Sequence, residues 1–281
     1  MRRILLVLAD REIATSTIEF GYQIAKLTGS GLTALFLRTR EQEISNSEPG
    51  TNLFNETGIK NASTLTRNRK KIEGGVDFFF EACARRGVNG DVLIRGKGGN
   101  RILSPVDEVI EESRFADLII IDPEISFEIK DGRLSSRFIK DIATAAECPV
   151  VVAPTSFEGL EQIVFCYDGS RSSVAAIKQF TYLLPELSKN KLTVLEVAGH
   201  QTDVEKKDKL ASWLKIHYPD FEFQLLHGNP TSELLKYFLS KDNVFIILGS
   251  YGRTMVSQFF KPSSADLLIH VVNLPLFITH H

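Results

Sequence analysis

The chain has 281 residues, 43% of them hydrophobic and 24% charged, with a formal net charge of −2. That length favours two domains of ordinary size, the composition is that of a globular protein, and the charge lacks the basic footprint of a dedicated nucleic-acid binder. Cys83, Cys148 and Cys166 are far apart and in no CxxC spacing, which argues against a disulfide framework or a zinc site and for small buried apolar residues.

Met1-Arg2-Arg3 precedes the apolar run Ile4–Ala9, and Asp10, Arg11 and Glu12 follow at once. The run is too short for a signal peptide and reads as a buried parallel strand. No stretch approaches the ~20 apolar residues of a membrane-spanning helix, so a cytoplasmic location is expected by elimination. Ile13 to Lys26 reads as a helix ended by Gly29. Leu32 to Leu37 is a second strand, and a polar stretch of little periodicity, about 41–63, reads as an insertion. A helix over Leu65–Arg86, a strand at Val92–Arg95, a helix at Pro105–Ser113, a strand at Asp117–Ile121, a helix at Ser136–Glu147 and a strand at Pro149–Ala153 complete the first half.

The second half repeats the plan. Ile163–Tyr167 is a strand ending in Asp168-Gly169-Ser170. Val174, Ile177, Phe180 and Leu184 have the spacing of one helical face. Leu192–Val197 is a strand, 203–218 an amphipathic helix with Leu210, Trp213, Leu214 and His217 on one stripe, and Phe221–Leu226 a strand. His217 on that stripe is expected to pack in the core. Asn229-Pro230 is suited to cap and open a helix over 231–241. Val244–Leu248 is a fully apolar strand running into Gly249-Ser250-Tyr251-Gly252, followed by a short helix around Ser264–His270 and a last strand at Pro275–Thr279.

Alternating strands and helices predict an α/β fold with parallel strands and right-handed crossovers. Asp117-Leu-Ile-Ile-Ile parallels Val244-Phe-Ile-Ile-Leu, and Cys148-Pro149-Val-Val-Val parallels Leu274-Pro275-Leu-Phe-Ile. This is an internal duplication, with domains expected at 1–154 and 160–281.

The segment with most chemistry in it is Gly249-x-x-Gly252 after the fourth strand of the second half, then Lys261-Pro262-Ser263-Ser264. A strand, a glycine loop and a helix start offer close backbone approach, free N–H groups and a favourable dipole, so phosphate is the natural guest. GxxG alone is also the pattern of an ordinary structural turn. If the strand order is 3-2-1-4-5, strands one and four are neighbours, and Asp168 and Gly249 flank one crevice at the switch point of the sheet.

This array resembles the universal stress protein (UspA-type) family. The family's ATP-binding pattern is Gly, two residues, Gly, nine residues, Gly, then Ser or Thr. Gly249, Gly252, the nine residues 253–261 and Ser263 match it, and Pro262 stands where the third glycine belongs. The resemblance spans the chain as two tandem copies, stronger from 160 to 281 than from 1 to 154. It implies two tandem open parallel five-stranded sheets of order 3-2-1-4-5 with helices on both faces, the Rossmann-like fold of the adenine nucleotide alpha hydrolases. It also implies ATP or AMP as ligand, with magnesium through the phosphates.

The resemblance implies that Asp168 lies beside the nucleoside and any phosphate-bound metal, and that Val197 offers backbone contacts to adenine. It likewise implies that Leu248 helps wall the pocket and that Gly249, Gly252, Ser263 and Ser264 hold ribose and phosphates. Pro262 takes away an N–H that could face a phosphate while suiting a first helical turn. The resemblance further implies that the two domains pair through their last strands within one chain, and that two chains can form a homodimer.

In the first half Asp122-Pro123-Glu124-Ile125 stands where GxxG would be, so that copy is expected to repel phosphate. Asp10 lies at, or one residue beyond, the position of Asp168. The loop Arg95-Gly-Lys97-Gly-Gly-Asn-Arg101 lacks a P-loop ending. It reads either as a simple loop or as an anion contact across the domain interface. No metal spacing or nucleophile–base pair can be assembled from the histidines, cysteines and serines. The expected function is a stress-response-type regulator that binds an adenine nucleotide in its second domain. The alternatives are a ligand-free interaction module of the same family and a slow nucleotide hydrolase.

Overall fold

The computed structural model describes residues 1, 3–9, 15–37, 73–95, 103–125, 129–130, 133–134, 137–198, 204–249 and 272–279. Its first half runs β1 (Arg3–Ala9), α1 (Thr15–Thr28), β2 (Gly31–Leu37), α2 (73–86), β3 (Gly90–Arg95), α3 (Pro105–Ser113), β4 (Leu118–Ile121), the two-residue strands β5 (Ile129–Lys130) and β6 (Arg133–Leu134), α4 (Arg137–Ala145) and β7 (Val150–Val152). The second half runs β8 (Gln162–Cys166), α5 (Arg171–Leu183), β9 (Lys191–Ala198), α6 (Val204–His217), β10 (Phe221–His227), α7 (Pro230–Leu239), β11 (Val244–Gly249) and β12 (Leu276–Thr279). The small β5–β6 hairpin has no counterpart in the sequence reading.

Local chemistry sets the boundaries. Gly29 takes a left-handed φ of +62° just after α1, which glycine alone adopts at little cost. Ser104 caps α3 in a capping box with Asp107, its Oγ accepting from the Asp107 N–H at 3.1 Å. Asn229 Oδ1 accepts from the N–H groups of Thr231 and Ser232 ahead of α7, with Pro230 in the first turn, as the dipeptide predicted.

Ten strands form one sheet in the order β10-β9-β8-β11-β12-β7-β4-β1-β2-β3. Each half is parallel within itself and has the order 3-2-1-4-5. The two five-stranded sheets meet at the centre through their last strands. β12 and β7 pair antiparallel, with Phe277 opposite Val151, and fuse both halves into one continuous sheet.

The two faces carry separate cores. One lies under α1, α2, α5 and α6 and the other under α3, α4 and α7, and both draw residues from each half. On the first face Phe20 of α1 meets Phe245 of β11, Phe245 meets Phe180 of α5, and Phe180 meets Phe277 of β12. Phe157 of the connecting segment packs on Phe20 with ring centroids 5.0 Å apart. Asn273 ties down the same segment: its Oδ1 accepts from the Thr155 N–H at 2.6 Å and its Nδ2 donates to Ser156 Oγ.

His217 is half-buried, beside Trp213 at 4.2 Å and the exposed Tyr182 at 5.6 Å. It sits at the rim of the helix pair and not in the core the stripe had predicted. Among the described residues, no helix is long and apolar enough to cross a membrane.

Candidate functional site

The second half turns its sheet at β8, with β9 on one side and β11 on the other. Crossovers leave in opposite directions here, which opens a crevice beyond the carboxyl ends of the strands. Register puts named residues at its floor. Cys166 pairs with Leu195, and Ile247 with Phe165. Continuing those ladders brings Tyr167 level with Glu196 and Gly249, and Asp168 level with Val197. Three predicted residues, Asp168, Val197 and Gly249, thus meet at three adjacent strand ends.

Each is held by a local cause. Asp168 Oδ1 accepts from the Ser170 N–H at 2.9 Å, and Gly169 between them has φ +73°. This Asx-type turn swings the chain from β8 into α5. Ser170 then caps α5, its Oγ accepting from the Ser173 N–H at 3.2 Å. Ser172 and Ser173 are buried, and Ser170 Oγ lies 3.0 Å from Ser172 Oγ.

Gly249 is pressed against this turn. A Cβ at that position would stand 2.3 Å from the Ser172 carbonyl carbon and oxygen. The first glycine of the motif is therefore required by helix-to-strand contact, whatever binds nearby. Val197 and Leu248 are 7% and 2% exposed and pack among Leu234, Phe238 and Cys166 on the other face. What they present to the crevice is backbone. Gly252, Ser263, Ser264 and Pro262, with the helix expected around 264–270, lie outside the described residues.

Sequence reasoning passed over Glu196, which occupies the inward-facing position between Val194 and the end of β9 and is only 3% exposed. Lys207 in the first turns of α6 donates to its Oε2 at 2.8 Å, and the same ammonium lies 4.6 Å from the Phe223 ring centroid. Oε1 is buried and, among the described residues, has no hydrogen-bond partner. A charged residue in line with Leu192 and Val194 on the inward face of the strand was the signal that could have found it.

The first half has the same switch point with different chemistry. Under the duplication Leu6, paired with Ile120, corresponds to Phe165, paired with Ile247. Ala9 then stands at the level of Asp168, and Asp10 is one residue beyond. Asp122 takes the place of Gly249. Its Oδ1 accepts from the Glu124 N–H at 2.8 Å, and burial pushes its carboxyl up to about 6, against that hydrogen bond and with the Glu124 carboxylate adding to the rise.

The strand that leads into the Arg95–Arg101 loop stands far from the second-half crevice. β3 is the outermost strand, six places from β11, or about 29 Å at ~4.8 Å per strand. The antiparallel seam also points the carboxyl ends of the two halves to opposite edges of the sheet. Arg95 instead pairs with Glu112 of α3. The loop itself lies outside the described residues.

Among the described residues, no group of three or more His, Cys, Asp or Glu side chains is placed to hold a metal ion. Cys83 and Cys166 are buried, Cys148 is half-buried, and burial raises the thiol pKa of all three.

No family model matches the sequence, and no curated protein does. Solved structures do match. A universal stress protein from Archaeoglobus fulgidus DSM 4304 superposes with a TM-score of 0.66 at 13% identity, covering 99% of this chain and 96% of that one. A universal stress protein from Pseudomonas aeruginosa UCBPP-PA14 gives 0.59 at 14% identity, over 100% and 93%. The cytoplasmic domain of a prokaryotic cation chloride cotransporter gives 0.51 at 13% identity, over 99% and 94%. At such identities the likeness is one of fold, and the transporter domain shows that one fold carries different functions. The chain has, along its whole length, the α/β fold of the universal stress proteins.

Proposed function

We propose that the chain is a cytoplasmic, stress-response-type regulator that binds an adenine nucleotide, AMP or ATP with magnesium on its phosphates, in the crevice of its second half. The observation that carries this reading is the meeting of Asp168, Val197 and Gly249 on three adjacent strand ends at the switch point of the sheet. Asp168 and the backbone of Val197 take the nucleoside, with Leu248 closing the floor. Gly249, Gly252, Ser263 and Ser264 take ribose and phosphates, with Pro262 lowering the affinity for the phosphate end. The chain divides into a domain of residues 1–154, which serves as a built-in partner across the β7–β12 seam, and a nucleotide-binding domain of residues 160–281. Two chains assemble as a homodimer.

The test is denaturing extraction and mass analysis of freshly purified protein, alongside calorimetric titration with AMP and Mg-ATP. Co-purified nucleotide, or binding heat that disappears in Gly252→Val, supports the reading. Absence of both moves the protein to a second reading, a ligand-free interaction module. The contact of Gly249 with Ser172 favours that alternative, because it accounts for the glycine with no ligand at all.

A further inference from the structure

We propose that Glu196 is a ligand-reading residue of this crevice, its Oε1 accepting a hydrogen bond from an N–H or O–H of the bound nucleoside. The inference rests on the nucleotide reading above and adds a specificity-determining side chain to it.

Place comes first. Glu196 is one residue before Val197 and level with Tyr167 and Gly249, by continuation of the Cys166–Leu195 and Phe165–Ile247 pairs. It projects to the face covered by α5 and α6, as its bond to Lys207 shows. Both helices start at this end of the strands, and Lys207 in the first turn of α6 reaches the carboxylate there.

Chemistry comes second. A carboxylate has about four acceptor positions, and burial without a partner is unfavourable. Oε2 is satisfied by Lys207, while Oε1 is shielded from solvent and unmatched among the described residues. Lys207 is also placed over the Phe223 ring, so one ammonium is held by two neighbours already.

The opposite end of the same strands shows what completed pairing looks like. There Gln162 Nε2 donates to Thr193 Oγ1 at 2.8 Å, Thr193 donates to Glu222 Oε1 at 3.0 Å, and Lys191 pairs with Glu222 at 3.2 Å. The Thr193 hydrogen bond, followed by that of Lys191, holds the Glu222 carboxyl below its ordinary range. Polar groups on β8, β9 and β10 are thus networked at the amino end. The unmet acceptor lies at the carboxyl end, where the proposed ligand binds. A nucleoside has the matching donors: ribose hydroxyls and, in adenine, an exocyclic amine.

The experiment is calorimetric titration of the full chain, wild type and Glu196→Gln, with AMP, 2′-deoxy-AMP, 3′-deoxy-AMP and IMP, which lacks the exocyclic amine. Wild type is expected to bind AMP about tenfold more tightly than the one analogue that lacks the paired donor. Glu196→Gln is expected to weaken AMP about tenfold while leaving that analogue nearly unchanged. Equal wild-type affinity for all four ligands overturns the inference without any variant, as does a Glu196→Gln protein that binds AMP like wild type or loses all four equally. If wild-type protein binds no adenine nucleotide, the functional reading and this inference fall together. If it binds AMP without discrimination, only this inference falls.

Discussion

The two halves of the sheet end their fourth strands differently. β11 ends in Gly249, and the backbone of Ser172 lies where a side chain would begin. β4 ends at Ile121 and is followed by Asp122, whose carboxyl folds back to accept the Glu124 N–H. Strand order is the same on both sides. The comparison separates two contributions that are easily merged. Topology decides where a crevice can form, and the residue closing the fourth strand decides how tightly the first helix packs and which charge is tolerated. A hydrogen atom at this place admits a helix and leaves the field to backbone N–H groups. A half-buried carboxylate puts a titratable group there instead.

The largest expected effect tests whether the halves are energetically one body. Phe277 is fully buried at the seam, with its ring centroid 5.3 Å from that of Phe180. Phe277→Ala is expected to cost about 3–5 kcal/mol in urea unfolding. Trp213 fluorescence, which reports the second half, and far-UV circular dichroism, which reports both, are expected to move together. Separate transitions would break the picture of a shared core.

The next effect sharpens the contrast at the strand ends. Gly249→Ala forces a methyl into the Ser172 backbone and is expected to destabilise by about 3 kcal/mol. An unchanged urea midpoint would show that α5 can withdraw freely.

The smallest effect has the opposite sign and depends on pH. The Asp122 carboxyl keeps its proton to about pH 6 in the folded chain, against 3.8 ordinarily. The native state therefore binds more protons than the unfolded one between those values. Its contribution to stability is present below pH 3.8, falls as pH rises towards about 6, and is level above. Asp122→Asn removes that fall and is expected to stabilise on the order of 2 kcal/mol at pH 7. Urea midpoints of variant and wild type should diverge between pH 4 and 6 and run parallel above 7; parallel behaviour throughout would show that Asp122 is solvated.

Much of this was legible in the sequence because it is local. Among the described residues, alternating apolar runs and helical spacings located the strands and helices within a few residues, and Asn229-Pro230 announced α7. Asp168 and Gly249 could be placed on neighbouring strands once the order was assumed, and register brings them to adjacent strand ends. The rest depends on distance in sequence. The reason for Gly249 is the backbone of Ser172, far upstream, which no local pattern displays. His217 has the spacing of a core residue, yet its stripe ends at a rim where Tyr182 is exposed. Glu196 was hidden because strand recognition averages over a window, and one acid among Leu192, Val194, Leu195 and Val197 hardly alters the average. For Gly252, Ser263 and Ser264 the reading stays where the sequence left it.

The β7–β12 seam has a consequence for how such a molecule behaves on dilution. Only the short segment 153–161 separates β7 from β8, and it is tied down by Asn273 and Phe157. Two separate chains meeting through the same strands would part as their concentration fell. Here the encounter is intramolecular, at the millimolar effective concentrations that a short tether provides. The joint is indifferent to how much protein the cell makes, and a scarce chain carries its second half-sheet as securely as an abundant one.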